Sequence, residues 1–289
     1  MLESAFLVLL SVVGADPDTP INELPKSSPE QRLAFAKQAA ESYHFRWGDR
    51  GDAEAKLCPD PLLRWNNQVI REDDGFLFLW TEGDKGRPVA AAQFFVAGKD
   101  WHHEFQSLSL HRFDGRCELN ESRDWSWHPT SPGLEFVTSD TSDVPASSAT
   151  QRLRQMKAIA ERFTAAVDVN EAFDHPEQLR LLTTPIYRYS SASHSLEDGA
   201  VFAFVQGTNP EILVLIEAVT TDTNKTWRYG FARMSSYNLR VLRDDRIVWK
   251  KDRAPVPQPD RISPYHFRLR AQIDASAEIK LPTIANEIK

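Results

Sequence analysis

Residues 185–217 read PIYRYSSASHSLEDGAVFAFVQGTNPEILVLIE, and residues 61–93 read PLLRWNNQVIREDDGFLFLWTEGDKGRPVAAAQ. Placed side by side without a gap, Pro61 meets Pro185, Arg64 meets Arg188 and Trp65 meets Tyr189. Asp74 and Gly75 meet Asp198 and Gly199, Phe78 meets Phe202, and Gly83 meets Gly207. A unit that recurs at a fixed offset points to a duplicated domain. What recurs is turn chemistry and core pattern, which specifies an architecture rather than an activity.

Upstream of each copy the pattern is helical. Ser28-Pro29-Glu30-Gln31 has the form of a helix start, with serine as N-cap, proline at the first position and glutamine closing a capping box. Leu33, Ala36, Ala40, Tyr43 and Trp47 follow at spacings of three and four and predict one apolar stripe, ended by Gly48. Gln151-Arg152-Leu153 begins a matching stripe of Leu153, Met156, Ala160, Phe163 and Val167, which puts Phe163 where Tyr43 stands.

Downstream, each copy turns to strand signals. They run over Leu62 to Trp65 and Ile186 to Tyr189, then Phe76 to Trp80 and Ala200 to Val205, then Val89 to Val96 and Ile212 to Val219. Trp101 and Phe105, like Trp227 and Phe231, mark a further strand. Asp74-Gly75 and Asp198-Gly199 are expected at turns needing a permissive backbone, as are Asp114-Gly115-Arg116 and Asp244-Asp245-Arg246. The segments from Glu82 to Arg87 and Gln206 to Glu211 read as hairpin connections. Ser131-Pro132 and Ser263-Pro264 open last strands, the second carrying Phe267, Leu269, Ala271 and Ile273 on one face. Residues 143–150 are small and polar and suit a linker. The expected fold is α+β: tandem repeats over residues 27–142 and 150–280, each an amphipathic helix followed by a curved antiparallel sheet of roughly five or six strands, cone- or half-barrel-like.

Hydrophobic residues are 41% and charged residues 26%, as in a chain with a substantial core. A formal charge of -7 without a basic stripe argues against nucleic-acid binding. Residues 1–15 have the form of an export signal, with an apolar run from Ala5 to Val13 and small residues Val13 and Ala15 before a cut at Asp16. Its head departs from the pattern, offering Glu3 and neither Lys nor Arg. The expected location is periplasmic or extracellular. No stretch approaches the roughly 20 apolar residues of a membrane-spanning helix, so no membrane span is expected. Cys58 and Cys117 stand opposite Leu182 and Ile247, which suggests core positions; buried thiols and a disulfide both remain open.

The run RYSSASHSLEDGAVFAFVQGTNPEILVLIEA, residues 188–218, resembles a family of uncharacterised exported bacterial proteins. The order of elements resembles cystatin-like and nuclear-transport-factor-like cones and the half-barrels of lipoprotein carriers. The family likeness implies export and a twin-domain build, the likeness to cones and half-barrels is one of topology only, and neither brings an activity with it.

Motifs for the common hydrolase, nucleotide and zinc-protease sites are missing, and no catalytic residue is assigned. His102, His103 and Glu104, with His111 beyond, come nearest to a metal set, but on a strand His103 points away from the other two, so no metal or cofactor is expected. Trp125 and Trp127 share a strand face, either buried or open for stacking on sugars. The repeated polar feature is Arg64-Trp65 and Arg188-Tyr189. An arginine fork beside an aromatic ring can hold a carboxylate or stack on a planar group, and it can equally bridge to the aspartate of the Asp-Gly pair. These four residues are the candidate binding set. The function expected is a non-catalytic binding or scaffold protein, an internal pseudo-dimer whose partner is a protein or small ligand. A hydrolase with its site in one repeat, or a carrier of apolar ligands, is the alternative.

Overall fold

A computed structural model describes residues 28–48, 53–67, 72–97, 100–118, 125–140, 143–170, 174–191, 195–221, 224–256 and 261–270. The export signal, the cut at Asp16 and the positions of Ala271 and Ile273 lie outside the described residues. The first half runs α1 Pro29–Glu41, β1 Tyr43–Trp47, β2 Ala53–Glu54, β3 Lys56–Leu57, β4 Leu63–Asn67, β5 Glu72–Thr81, β6 Pro88–Ala97, β7 Asp100–Ser107, β8 Phe113–Cys117, β9 Ser126–Trp127 and β10 Phe136–Thr138. The second runs α2 Ala149–Ala160, β11 Phe163–Asp168, β12 Glu177–Leu181, β13 Tyr187–Ser191, β14 Leu196–Gln206, β15 Asn209–Thr221, β16 Asn224–Arg233, β17 Asn238–Arg243, β18 Arg246–Lys251 and β19 Tyr265–Arg270. The class is α+β with antiparallel sheets, and no helix among the described residues is long and apolar enough to cross a membrane.

The helix starts follow the expected chemistry. Gln31 N donates to Ser28 Oγ at 3.2 Å and Ser28 N donates to Gln31 Oε1 at 2.7 Å, satisfying two of the amides that a helix start leaves bare. Ser148 caps α2 in the same way, accepting from Gln151 N at 3.3 Å. The ends differ from expectation. α1 stops at Ser42 and α2 at Glu161, so Tyr43 and Trp47, and likewise Phe163 and Val167, lie on strands. A step of four returns to the same side of a helix and of a strand, so the apolar stripe passed from one into the other without a break in spacing. Gly48, at φ +104°, follows β1 and does not end a helix.

The strand order in the first half is β19-β7-β6-β5-β3 in one sheet, with β4 on β5, and β2-β1-β8-β9 in another. In the second half a single sheet runs β10-β16-β15-β14-β12-β11-β17-β18, with β13 on β14. β12 pairs with both β11 and β14, joining what β2 and β3 leave separate on either side of Ala55. The registers match: Leu57 faces Trp80 as Leu181 faces Phe204, and Tyr43 faces Cys117 as Phe163 faces Arg243. Cys117 therefore corresponds to Arg243 rather than Ile247. Cys58 keeps its match with Leu182, and both thiols are free.

Two expectations about glycines fail for one reason. Gly75 and Gly199 lie inside β5 and β14 without a positive φ, and Gly115 lies inside β8. Each makes room for a ring: a Cβ would come 2.2 Å from the Trp65 ring at Gly75, 2.5 Å from Tyr189 at Gly199 and 2.9 Å from Phe45 at Gly115. Close approach, not turn geometry, requires them. Asp244 and Asp245, at φ 50° and 62°, do form a turn, and Gly83 and Gly207 have the positive φ of hairpin connections.

β5, β6, β14 and β15 are buried on both faces. Phe76, Phe78 and Trp80 face the α1 side while Leu77 and Leu79 face the other half; Phe202 and Phe204 face the α2 side while Val201, Ala203 and Val205 face the first half. The molecule is thus layered as helix, sheet, sheet, helix, with a third apolar core between the sheets. Across that seam the halves exchange their last strands. β10 pairs with β16 of the second half and β19 pairs with β7 of the first, whereas the sequence reading kept each within its own repeat. Alternation identifies a strand without naming its neighbour, because partner choice is a long-range property.

Candidate functional site

Arg64, on β4, grips Asp74 on the neighbouring β5 with two parallel bonds, Nε to Oδ1 at 2.8 Å and Nη2 to Oδ2 at 2.7 Å. Arg32, from the first turns of α1, donates to Asp74 Oδ2 at 2.8 Å. One buried carboxylate thus ties helix to two strands. Arg188, Asp198 and Arg152 repeat the arrangement, with Arg188 Nε to Oδ1 at 2.9 Å, Nη2 to Oδ2 at 2.5 Å, and Arg152 Nε to Oδ2 at 2.9 Å. The bridge weighed from sequence is present in both halves. The hydrogen bonds they donate to the aspartates push both Arg64 and Arg188 further above the ordinary arginine range, so both stay charged. Exposed Glu30 is held below the usual carboxylate range by its backbone N–H and the Ser28 hydroxyl, with smaller contributions from Arg64 and Arg32.

Trp65 and Tyr189 stand directly across from Gly75 and Gly199 and are buried, so neither ring is open for a ligand to stack on. The structure therefore separates the four candidates. The arginines keep solvent-facing edges, Arg64 being 45% exposed, while the aromatic residues hold the strands together. Arg32, Arg152 and Thr208 were not found from sequence; the shared Ser-Ser-x-x-Gln-Arg-Leu of residues 27–33 and 147–153 is the signal that would have located the two arginines.

The first triad lines a cleft of about 420 Å³ bounded by Arg32, Arg64, Trp65, Asn66, Asp74 and Thr208. Thr208 comes from the hairpin of the second half: Asn66 N donates to its Oγ1 at 3.0 Å, and Oγ1 donates to Asn66 O at 2.8 Å. Asn67 Nδ2 donates to Gln206 Oε1 at 3.1 Å alongside. The hairpin of the first half reaches β13 in return, through Ser190 N to Lys85 O at 3.4 Å and Tyr187 Oη to Gly86 O at 3.1 Å. Where Tyr187 lies stacked on Tyr189 in the second half, the first half has Leu63.

Deeper in the seam, Glu217 accepts from Arg87 Nε at 2.9 Å, Tyr189 Oη at 2.9 Å and Arg228 Nε at 2.7 Å. Both guanidinium groups lie over the Phe136 ring brought by β10, at 5.2 and 4.4 Å. Burial, and then the Glu217 carboxylate, raises Tyr189 well above its ordinary range and keeps its proton in place. The histidines of β7 go separate ways: His102 stacks on Phe95, and His103 bonds Tyr43 Oη at 2.7 Å. Glu104 accepts from Tyr265. Among the described residues no three of His, Cys, Asp and Glu form a metal-holding group. Trp125 and Trp127 are buried, which removes the sugar-stacking alternative. Comparison with known protein families, with characterised proteins and with solved structures finds no match to this chain.

Proposed function

We propose that this chain is a non-catalytic, exported binding protein, made of a duplicated helix-plus-sheet unit folded as an internal pseudo-dimer, whose ligand is a small molecule carrying a planar anionic group. The cleft at Arg64 is the observation that carries this reading. Its volume of about 420 Å³ falls in the range of small-molecule sites. Arg64 presents an exposed guanidinium edge fixed by Asp74, and a fork held in place loses little freedom when it meets a carboxylate. The matching registers support the duplication, and the exchanged strands support the pseudo-dimer. The carrier alternative has less behind it, since the facing sheets fill their seam with Leu77, Leu79, Val201 and Leu213. The cavity of about 240 Å³ at the strand crossing is rimmed in part by Gln106, Arg233 and Lys251.

Calorimetric titration with a panel of small mono- and dicarboxylates tests the site. Binding should disappear in Arg64→Ala and persist in Arg188→Ala. Equal loss in both variants, or no binding by the wild type, would overturn it. Export is tested separately by sequencing the N-terminus of the natural protein, which should begin at Asp16; intact Met1 would refute it.

A further inference from the structure

Glu211 is fully buried on β15, two residues beyond the Gln206–Asn209 hairpin that supplies Thr208 to the cleft. Its Oε1 accepts from Asn209 Nδ2 at 3.1 Å, while its Oε2 has no partner among the described residues. Gln93 approaches from the first half, donating Nε2 to Pro210 O at 3.1 Å and Met234 O at 2.7 Å, the residues that adjoin Glu211 and Ser235. Gln93 Oε1 and Ser235 Oγ also lack partners among the described residues. The inventory is short of donors: an ionised Glu211 and the Gln93 oxygen can only accept, and the serine hydroxyl is the one group of the three able to give a proton. A proton on Glu211 relieves the cost of burying a carboxylate with one oxygen unbonded.

The charged groups around it do not replace that proton. Arg233, on the adjoining β16, directs Nε, Nη1 and Nη2 to the carbonyls of Ser235, Asp252 and Tyr237 at 2.7, 3.0 and 2.7 Å. Glu177 on β12 adds a like charge, and behind Gln93 stand Glu104 on β7 and Tyr265 on β19. Burial raises the Glu211 carboxyl to about 7, with Glu177 adding to the effect and Ser235 and Arg233 opposing it; Ser235 lies close without closing a full hydrogen bond.

We propose that Glu211 is a proton-operated latch on the cleft: protonated, it holds the Gln206–Asn209 hairpin against β4, and ionised, it releases that hairpin and Thr208 with it. The path is continuous, from Glu211 to Asn209 and along the hairpin, then through Thr208 to Asn66 and through Gln206 to Asn67. Ligand affinity at the cleft then falls as the latch opens, an expectation that rests on the function proposed above; the latch itself is measured without any ligand.

Amide hydrogen exchange of the hairpin and of Asn66 and Asn67, corrected for intrinsic chemistry, gives the readout. A carboxyl raised from the ordinary 4.5 to about 7 favours the closed state most at acidic pH. Protection should fall by up to tenfold per pH unit between those values and level off above, because the open state releases the proton first. Glu211→Gln should flatten this dependence. A wild type without it, or a variant that keeps it, would overturn the latch. Should the variant fail to fold, the carbon-13 signal of the Glu211 carboxyl in the wild type decides: a midpoint near 7 supports the latch, and one in the ordinary glutamate range refutes it. A working latch without carboxylate binding would refute the ligand reading alone.

Discussion

Two corners of the seam occupy the same place in the pairing scheme and are built from opposite chemistry. In the first half Trp65 lies across from Gly75, Gly75 from Phe95, and Phe95 from His102, with Phe267 of β19 closing an aromatic stack. In the second half Tyr189 lies across from Gly199, Gly199 from Glu217, and Glu217 from Arg228, with two guanidinium groups over the Phe136 ring of β10. The contrast recurs along the same strands, where Val89 and Glu211 hold matching places beside Leu108 and Met234. The same local pairing register accepts either solution, so the register accounts for what the two regions share and the corners account for how they differ.

The largest effect should come from breaking the charged corner on one side only. Glu217→Ala leaves Arg87 buried without its carboxylate and is expected to cost about 3 to 5 kcal/mol in equilibrium urea unfolding. Rebuilding the corner as its counterpart, with Tyr189→Trp, Glu217→Phe, Arg228→His and Arg87→Met together, removes the buried charges and should recover most of that loss. A rebuilt variant as weak as Glu217→Ala would show that the two corners are not interchangeable.

The pH dependence sharpens the comparison next. Glu211 has a folded-state pKa raised to about 7, so the stability it leaves intact is full below the ordinary glutamate range and lost as pH rises through about 7. The loss, wild type against Glu211→Gln, should be on the order of 3 kcal/mol by denaturation at a series of pH values. Val89, the apolar counterpart, gives the first half no such term. A pH profile unchanged by Glu211→Gln would remove this distinction between the halves.

Much of the frame was legible in the sequence because it rests on local signals. Ser28 marks the first helix start and Gln151-Arg152-Leu153 the second helix, Gly83 and Gly207 mark hairpins, and the spacing of Arg64 from Asp74, repeated by Arg188 and Asp198, carries the ion pair. Three features were misread for physical reasons. Tyr43 and Phe163 continue a helical spacing into a strand because four-residue steps suit both. Asp-Gly pairs look like turns unless the ring above the glycine is known. Which sheet receives Phe136 or Phe267 depends on contacts between distant segments. The corners were illegible for the same reason, since Arg87 meets Glu217 across 130 residues.

The glycines test whether the two aromatic clamps are equally tight. Gly199→Val places a branched side chain against Tyr189 and should cost about 1 to 3 kcal/mol through overpacking. Gly75→Val should cost more, because the approach to the larger Trp65 ring is closer, 2.2 against 2.5 Å. Equal midpoints and slopes for both variants in urea would mean that one clamp yields as readily as the other.

The smallest effect separates the two surface arginines. Arg64 is 45% exposed and shares Asp74 with Arg32, so in Arg64→Ala the carboxylate keeps one partner and water replaces the other; about 0 to 1 kcal/mol is expected. Arg188 is 34% exposed and donates to Ala149 O at 2.5 Å, at the start of α2, whereas the matching bond from Arg64 Nη2 to Pro29 O is stretched to 3.5 Å, so removing Arg188 loses the tighter helix-start contact. Arg188→Ala should therefore be the more destabilising of the two by a few tenths of a kcal/mol, and the gap should narrow at high salt if it is mainly charge. Loss of carboxylate binding should follow the opposite order, with Arg64→Ala the damaging change. Stability and binding falling together at the same arginine would mean that the cleft was reporting folding and not recognition.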